Sequence, residues 1–536
     1  MWPYLVAVIL VLFGIYYRHR RHAFQYFKRM GLDGPTPSIP FGNLTEIGFG
    51  KGDPMEAPMR WTKKYGKFYG IFEGPNPILI STDLDFLKEV FIKRFSHFHA
   101  RKPFPIAPDP NDERGVNMVI AMGDKWKRLR LNTNPAFSAL KMKQMSPLIN
   151  DSVTRLLRCL EKRCEEGKPF NIQSEFQGLT LEVIASCAFG LSINSVEDRN
   201  HPFLTACRDL FNRLGNGRLR VLVAFMFPEV RRLLWKFFIF LRLFIKTDPF
   251  SKLRALGFEA IAARKAIHDP KKRRVDLLQL MLDTQINSTN GQAVSNSDQE
   301  ELSGLNMNGE TGPTAQSSGE MKTKKIADRQ GLSEEEIQAQ ANLFILAGYE
   351  TTSTALTYTA YELAKHPEVQ CRLQAEVDEH FGEDTEISYD TIQKLTYMDM
   401  VICEVLRLHP IAPQIIARQC VESCTVNGLH LEKGLVVAAD VWSIHYDPEL
   451  WGPEDTFSPE RKAHRHPMAW LPFGAGPRNC IGMRFALMEA KIALAGLLKR
   501  FSIQACQETQ IPLKKVERAT IVPESGVIVK LIRREM

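Results

Sequence analysis

Cys480 sits in the stretch Phe473-Gly-Ala-Gly-Pro-Arg-Asn-Cys-Ile-Gly482, which runs directly into an apolar segment at 483–498. A cysteine that only fills a core has no need of a setting with three glycines, a proline, an aromatic ring and an arginine. Glycines let backbone approach a flat cofactor closely, and amides at the start of the following helix can hydrogen-bond a thiolate sulfur and stabilise its charge. Arg478 is suited to pairing with a carboxylate on that cofactor. Residue types and spacing point to a thiolate ligand for haem iron, a ligation that pushes electron density onto the metal and favours O–O cleavage. A structural cysteine in a glycine-rich turn is the plainer reading, and an isolated Cys-x-Gly would call for nothing more.

Other constellations add to this. In Ala347-Gly-Tyr-Glu-Thr-Thr352, a glycine, an acid and an alcohol occupy the middle of a long helical run, at a cost in helix stability. Gly348 would let dioxygen or water distort the helix locally, and Glu350 with Thr351 could relay protons. Glu404-Val-Leu-Arg407 spaces opposite charges three apart, an ordinary helical ion pair when it stands alone. Trp126-Lys-Arg-Leu-Arg130 puts an indole N–H and a guanidinium on one helical face.

The elements that must position these residues read as mainly helical, with a small β region. Apolar spacing predicts helices over 145–165, 332–365 and 368–381, and strand-like alternation is confined to short runs such as 77–81 and 526–532. With 536 residues, 44% of them hydrophobic and 24% charged, the chain can bury a large core and is neither disordered nor fibrous. A single catalytic domain is expected at 46–536, because the one long polar stretch, 285–330, interrupts a helical region and reads as an inserted loop. The net charge of +8 is spread along the chain and does not point to nucleic acid. The 10 cysteines include no CxxC pair, and Cys420 with Cys424 lacks zinc-site spacing, so free, mostly buried thiols in a reducing compartment are expected.

Residues 2–17 carry no charge and are followed by Arg18, His19, Arg20, Arg21 and His22. About 17 residues at 1.5 Å each give roughly 26 Å, enough for the thinner endoplasmic reticulum bilayer. The segment 1–22 therefore reads as a retained membrane anchor whose basic stop stays cytosolic. A cleaved signal peptide would carry its charges first and end in small residues. Pro35, Pro37 and Pro40 make 23–45 a stiff hinge. The segment 218–246 is rich in Phe, Leu and Ile but too charged to span, and reads either as a headgroup-level contact or as a buried helix pair.

The Cys480 stretch resembles the haem-binding signature of the cytochromes P450, with Phe473, Gly476, Arg478, Cys480 and Gly482 at the family's positions. Glu404 and Arg407 are similar to the family's ExxR helix, and Arg461 of Phe457-Ser-Pro-Glu-Arg461 would complete a buried cluster with them, although Lys462 stands where the family usually has Phe. The resemblance makes Trp126, Arg130 and Arg418 donors to the haem propionates, and Gly348, Glu350 and Thr351 the oxygen-activating and proton-delivery motif. It implies haem b with an axial Cys480 thiolate, and a pocket formed by Val119, Ile120, Leu346, Ala347, Ala412, Ile415 and Ile416. It further implies electrons from NADPH through NADPH-cytochrome P450 reductase, with cytochrome b5 as a second donor and docking near Lys125, Lys127 and Arg128. The endoplasmic reticulum membrane, a single pass and a cytosolic catalytic face follow.

Likeness covers nearly the whole chain except 285–330, and is greatest to the family-three drug- and steroid-metabolising enzymes and to thromboxane synthase. The first group inserts oxygen into lipophilic molecules such as steroids, fatty acids and xenobiotics. The second isomerises a prostaglandin endoperoxide without dioxygen, and departs from the family at the threonine that this chain keeps as Thr351. Monooxygenation is the expectation and the isomerase the alternative. A haem-binding sensor or a catalytically silent relative stays open as the reading from a different class, against which the intact Glu350, Thr351, Glu404, Arg407 and Cys480 argue.

Overall fold

The structure, a computed structural model, describes residues 2–47, 54–104, 116–216, 218–227, 249–266, 276–289, 331–382, 387–453, 456–461 and 466–535. Six helices carry the argument: α1 (Trp2–Ala23), α2 (Gly123–Thr133), α3 (Ile172–Phe189), α4 (Glu334–Lys365), α5 (Thr396–Leu408) and α6 (Met483–Arg500). Strands β1 (Phe68–Glu73), β2 (Asn76–Ser81), β3 (Ala417–Gln419) and β4 (Val436–Ala439) form one sheet in the order β1-β2-β4-β3. In it β2 runs parallel to β4, and the other neighbours are antiparallel. A separate antiparallel hairpin joins β5 (Lys515–Glu517) to β6 (Ile521–Pro523). The mainly helical expectation holds, with Ala139–Glu166 and Pro367–His380 where apolar spacing placed helices and Ile528–Arg533 where alternation placed a strand. All ten cysteines are free thiols, but only Cys187, Cys207 and Cys420 are buried. The polar stretch begins later than composition suggests, because helix Leu277–Thr289 covers its first residues, while 290–330, most of 218–246 and Lys462 lie outside the described residues.

α1 is long and apolar enough to cross a membrane, and none of its apolar stretch packs inside the molecule. Its basic end is less free than the sequence suggests. Arg20 is buried, donates Nη2–H to the Met226 carbonyl at 3.0 Å and lies 4.8 Å over the Tyr16 ring. The proline-rich hinge then runs along β1: Gly70 N–H donates to the Asp33 carbonyl, and a Cβ on Gly34 would stand 2.0 Å from the Gly70 oxygen. Only glycine allows that approach.

The core is built around α4, which packs on α3 and α6 through Phe344, Ile345, Leu356, Phe176, Ile184, Ile492 and Leu494. A capping box starts α4, with Glu336 N–H donating to Ser333 Oγ at 3.2 Å and Ser333 N–H to Glu336 Oε2 at 3.1 Å. Three acids in its first turn favour the helix dipole. Gly348 lets α3 approach: a Cβ there would lie 3.0 Å from Ile184 Cδ1, and Thr180 Oγ1 donates to the adjacent Tyr349 carbonyl at 2.7 Å.

At its other end α4 is tied to α5 by a buried pair. His409 Nε2–H donates to Glu362 Oε1 at 2.7 Å while its ring stacks on Tyr358, and Lys365 donates to Glu362 Oε2 at 3.1 Å. Burial pulls His409 down to about 4, so the ring is neutral at pH 7. Burial opposes ionisation of Glu362 too, but His409 and Lys365 outweigh it and hold the carboxyl at about 2. Both groups bind more protons unfolded than folded in acid, so their stabilisation is complete above about pH 6.5 and is lost as pH falls. His409→Phe keeps a stacking ring and removes the donor. Thermal unfolding followed by circular dichroism should show a lower midpoint at pH 7 for this variant, and a shallower fall in midpoint between pH 6.5 and 4 than in the wild type.

Candidate active site

The Cys480 loop is shaped by backbone constraints. Gly474 and Gly476 adopt φ of +70° and +69°, and a Cβ on Gly476 would stand 2.0 Å from the Phe91 carbonyl oxygen. A short turn of helix, Gly476–Arg478, leads into Cys480, whose N–H donates to the Phe473 carbonyl at 2.9 Å. The Cys480 sulfur accepts from the Gly482 backbone at the start of α6, as expected for a stabilised thiolate. Burial outweighs the pull of Gly482, Arg130 and Arg101 and leaves the thiol above its ordinary value in the chain alone. Cys480 is also solvent-accessible. Deep crowding by the chain together with accessible surface means that this side chain lines an internal space rather than the outer surface.

The loop is held from α5. Arg407 is fully buried and forms a two-pronged pair with Glu404, both contacts 2.8 Å, while Arg461 Nε–H adds a 3.0 Å bond to the same carboxylate. The expected three-member cluster is therefore assembled. Its connection to the loop runs through His445, which sequence reading missed. His445 Nδ1–H donates to the Arg407 carbonyl at 3.1 Å and Nε2 accepts from Leu471 N–H at 2.9 Å. Burial pulls His445 down to about 3, which keeps it in this neutral, two-ended form. Trp470 Nε1–H, donating to the Cys403 carbonyl at 3.1 Å, makes a second tie.

Four arginines gather on the loop's other side. Arg418 and Arg478 are buried, and Arg101 and Arg130 are partly buried and face Cys480. Arg130 donates to Asn479 O and Oδ1 at 3.0 Å, Arg101 to the Ile415 and Arg478 carbonyls at 3.0 and 2.8 Å, and Arg418 to the Ala475 carbonyl at 3.0 Å. Arg478 donates to the Val119 and Ala121 carbonyls and lies 4.6 Å from the Trp126 ring centroid. Among the described residues, the hydrogen-bond acceptors they reach are neutral carbonyls and one amide. Burial lowers Arg101 and Arg130 to about 10, and burial with the neighbouring Arg101 and Arg130 lowers Arg478 to about 8. Nε of Arg418 and of Arg478 are buried with no partner. Charge concentrated this way calls for a dianionic ligand beside the thiolate. A haem's two propionates and iron meet that demand, and no group of three His, Cys, Asp or Glu residues gathers for another metal among the described residues. Trp126, Arg130, Arg418 and Arg478 are brought together as expected. Arg101 is an addition with no motif to announce it.

Opposite the loop lies α4. Ala347 is exposed although the helix around it is core. Thr351 Oγ1–H donates to the Ala347 carbonyl at 2.6 Å. Glu350 is buried, and burial pushes its carboxyl up to about 7 against the opposing pull of the Thr520 hydrogen bond and of Arg518. Gly348 faces α3, so its visible role is helix packing. A Cβ on Gly474 would touch Ile416 Cδ1 at 3.4 Å, which puts Ile416 over the loop, and Ile415 and Val119 contribute carbonyls to the arginine cage. Ile120, Leu346 and Ala412 are half-buried. Phe137 bridges the two sides, 5.6 Å from Phe344 of α4 and within 3.9 Å of a Cβ on Gly482.

The His445 bridge generates a prediction. His445→Leu leaves the Leu471 N–H and Arg407 carbonyl unpaired at about 1–3 kcal/mol each. Haem retained through gel filtration, read as Soret absorbance per polypeptide, should fall well below wild type. Undiminished retention would remove His445 from the loop's support.

Comparison with known proteins agrees with this geometry. The cytochrome P450 family model matches residues 32–316 and 308–531. The chain is 35% identical to cytochrome P450 3A29 of Sus scrofa, over 98% of this chain and 95% of that protein. It is 33% identical to cytochrome P450 3A5 of Homo sapiens, over 99% and 96%, and 34% identical to the putative cytochrome P450 CYP13A4 of Caenorhabditis elegans, over 95% of each. A thiolate loop, a charge cage suited to a haem and near full-length likeness converge: the chain belongs to the cytochrome P450 family of haem-thiolate oxidoreductases.

Proposed function

We propose that this chain is a membrane-anchored monooxygenase that inserts one oxygen atom of O2 into lipophilic substrates (steroids, fatty acids or xenobiotics), using NADPH-derived electrons. What supports the reading is the acid–alcohol pair in mid-α4, a buried Glu350 next to Thr351, in a chain that also carries the Cys480 loop. When bound, the haem supplies the oxygen chemistry. The chain's own contribution is to seat it through Cys480 and the cage of Trp126, Arg101, Arg130, Arg418 and Arg478, and to manage protons on the far side. Glu350, titrating near neutrality, holds or releases a proton at its carboxyl. Successive helical residues diverge by about 100°, so passage from Glu350 to Thr351 Oγ1 needs a side-chain rotation or one bridging water. Thr351 Oγ1 then gives up its 2.6 Å bond to the Ala347 carbonyl to donate into the pocket. An endoperoxide isomerase has no use for this relay, and nothing in the site favours it over oxygen insertion.

α1, the cytosolic basic stop and the hinge along β1 support a single-pass anchor in the endoplasmic reticulum membrane, with the catalytic body on the cytosolic face. NADPH-cytochrome P450 reductase and cytochrome b5 are the proposed electron donors. Of the basic residues expected to dock them, Lys127 is exposed, but Arg128 turns inward to pair with Glu336 and the Gly331 carbonyl. Arg128 therefore ties α2 to the start of α4 and drops out of the docking surface.

Two measurements test the relay. In a reconstituted system with reductase, Thr351→Ala should keep consuming NADPH while product per NADPH falls roughly tenfold and peroxide release rises, and Thr351→Ser should restore coupling. Equal coupling in Thr351→Ala would overturn the reading. Because Glu350 carries its proton below about pH 7 and loses it above, product formation should decline through neutrality, and Glu350→Gln should remove that limb.

A further inference from the structure

Cys420 and Cys424 bracket the turn that leads from β3 into a short hairpin, in which Cys424–Val426 pairs with Leu429–Leu431. Neither thiol has a part in the haem cage or the proton relay. Cys420 is buried in a core that also holds Val426, Leu431 and Leu435, while Cys424 is half-buried at its edge. The backbone fixes both ends of the turn. Cys420 N–H donates to the Leu435 carbonyl at 2.8 Å, the Cys420 carbonyl accepts from Gly434 N–H at 2.7 Å, and Cys424 stands opposite Leu431 in the hairpin register. Inside this frame the sulfurs meet. The Cys420 thiol lies 3.7 Å from the carbonyl of Leu431, the residue directly across from Cys424, and the two cysteine side chains hydrogen-bond each other.

Two thiols in contact can be oxidised to a disulfide, and their surroundings divide the roles. Cys424 is the more accessible of the two. Burial raises its thiol, but the hydrogen bond with Cys420 and the Arg94 guanidinium oppose that rise, Arg94 being anchored nearby by its Nη1–H bond to the Thr425 carbonyl at 2.9 Å. Burial, and after it the neighbouring Cys424, push Cys420 up to about 11. Cys424 is therefore the thiolate that meets an oxidant, and Cys420 the thiol held behind it. Thiols that ionise reluctantly form disulfides that resist reduction, so the burial that slows formation also stabilises the product.

We propose that Cys420 and Cys424 form a redox modification site that takes a hydroperoxide as oxidant and closes a reversible disulfide across the turn. The Cys424 thiolate attacks the peroxide O–O bond, which breaks as an S–O bond forms; the hydroxide released takes up the proton that Cys424 had lost. The Cys420 sulfur then displaces the hydroxyl of the Cys424 sulfenic acid, the Cys420 proton leaves with it as water, and the S–S bond forms. With hydrogen peroxide, the pair of thiols gives up two electrons and the peroxide ends as two waters. The site lies on the strand that seats the cofactor: Arg418 of β3 is two residues before Cys420, and Gln419 N–H donates to the Ala100 carbonyl at 2.9 Å, next to Arg101. Disulfides of this kind in a reducing compartment are transient and sense oxidants.

The test uses the full-length, haem-loaded protein with hydrogen peroxide as the probe, quenched by catalase, then unfolded in iodoacetamide and digested with trypsin. Cleavage after Arg418 and Lys433 releases both cysteines in one peptide, 419–433. Peroxide should convert this peptide to an unalkylated form lighter by two hydrogens, and dithiothreitol added before alkylation should restore the doubly alkylated form. Cys420→Ser should leave Cys424 as a sulfenic acid that dimedone captures, whereas Cys424→Ser should slow oxidation of Cys420 by about tenfold or more. The exposed Cys371 reports the oxidant dose in the same samples. A 419–433 peptide that stays fully alkylatable once Cys371 is oxidised would overturn the proposal. So would wild-type Cys424 advancing to sulfinic acid without a disulfide, or either cysteine bridging to a third. The wild-type peptide decides the matter even where a variant fails to fold.

Discussion

Positive charge concentrated inside the protein, without a carboxylate partner among the described residues, is the constraint on which the rest of the structure turns. Arg101, Arg130, Arg418 and Arg478 crowd one side of the Cys480 loop, and among the described residues the hydrogen-bond acceptors they find are carbonyls and an amide. Burying guanidinium groups this way is unfavourable unless an anion arrives to share the space. The fold thus stores, in its own electrostatics, a demand for a ligand that brings two carboxylates and an iron. Burial holds the Cys480 thiol above its ordinary value, and Arg130 and Arg101 offset part of that cost.

Around this centre the chain divides its work between rigid and adaptable parts. The proximal loop is over-determined: positive-φ glycines fix its path, Phe91 forbids a side chain at Gly476, and α5 grips it through Arg407, His445 and Leu471. On the distal side α4 is equally rigid as a helix, capped at Ser333 and pinned at Glu362, yet it carries a buried acid, Glu350, that titrates near neutrality. Stiffness where the cofactor is held suits a ligand set that must keep one geometry.

The sequence disclosed those parts of the site whose logic is local. Cys480 with its glycines, Glu404 three residues before Arg407, and Trp126 four before Arg130 each express a short-range geometry, and each lies where its spacing implied. Arg101 and His445 were not legible, because their meaning depends on partners far along the chain; the carbonyls that Arg101 engages are 314 and 377 residues away. Gly348 was legible as an anomaly in a helix but not as the contact point for Ile184, which only the packing of α3 on α4 creates. Arg128 shows the converse: helical spacing put it on a basic face, and tertiary pairing with Glu336 withdrew it.

Every step in this account passes through Cys480 as the iron's thiolate ligand. The carbon monoxide difference spectrum of the reduced, full-length protein tests this most directly. The account predicts a strongly red-shifted Soret band that marks thiolate ligation, present in the wild type and abolished in Cys480→Ala. A Cys480→Ala protein that kept the band would contradict it.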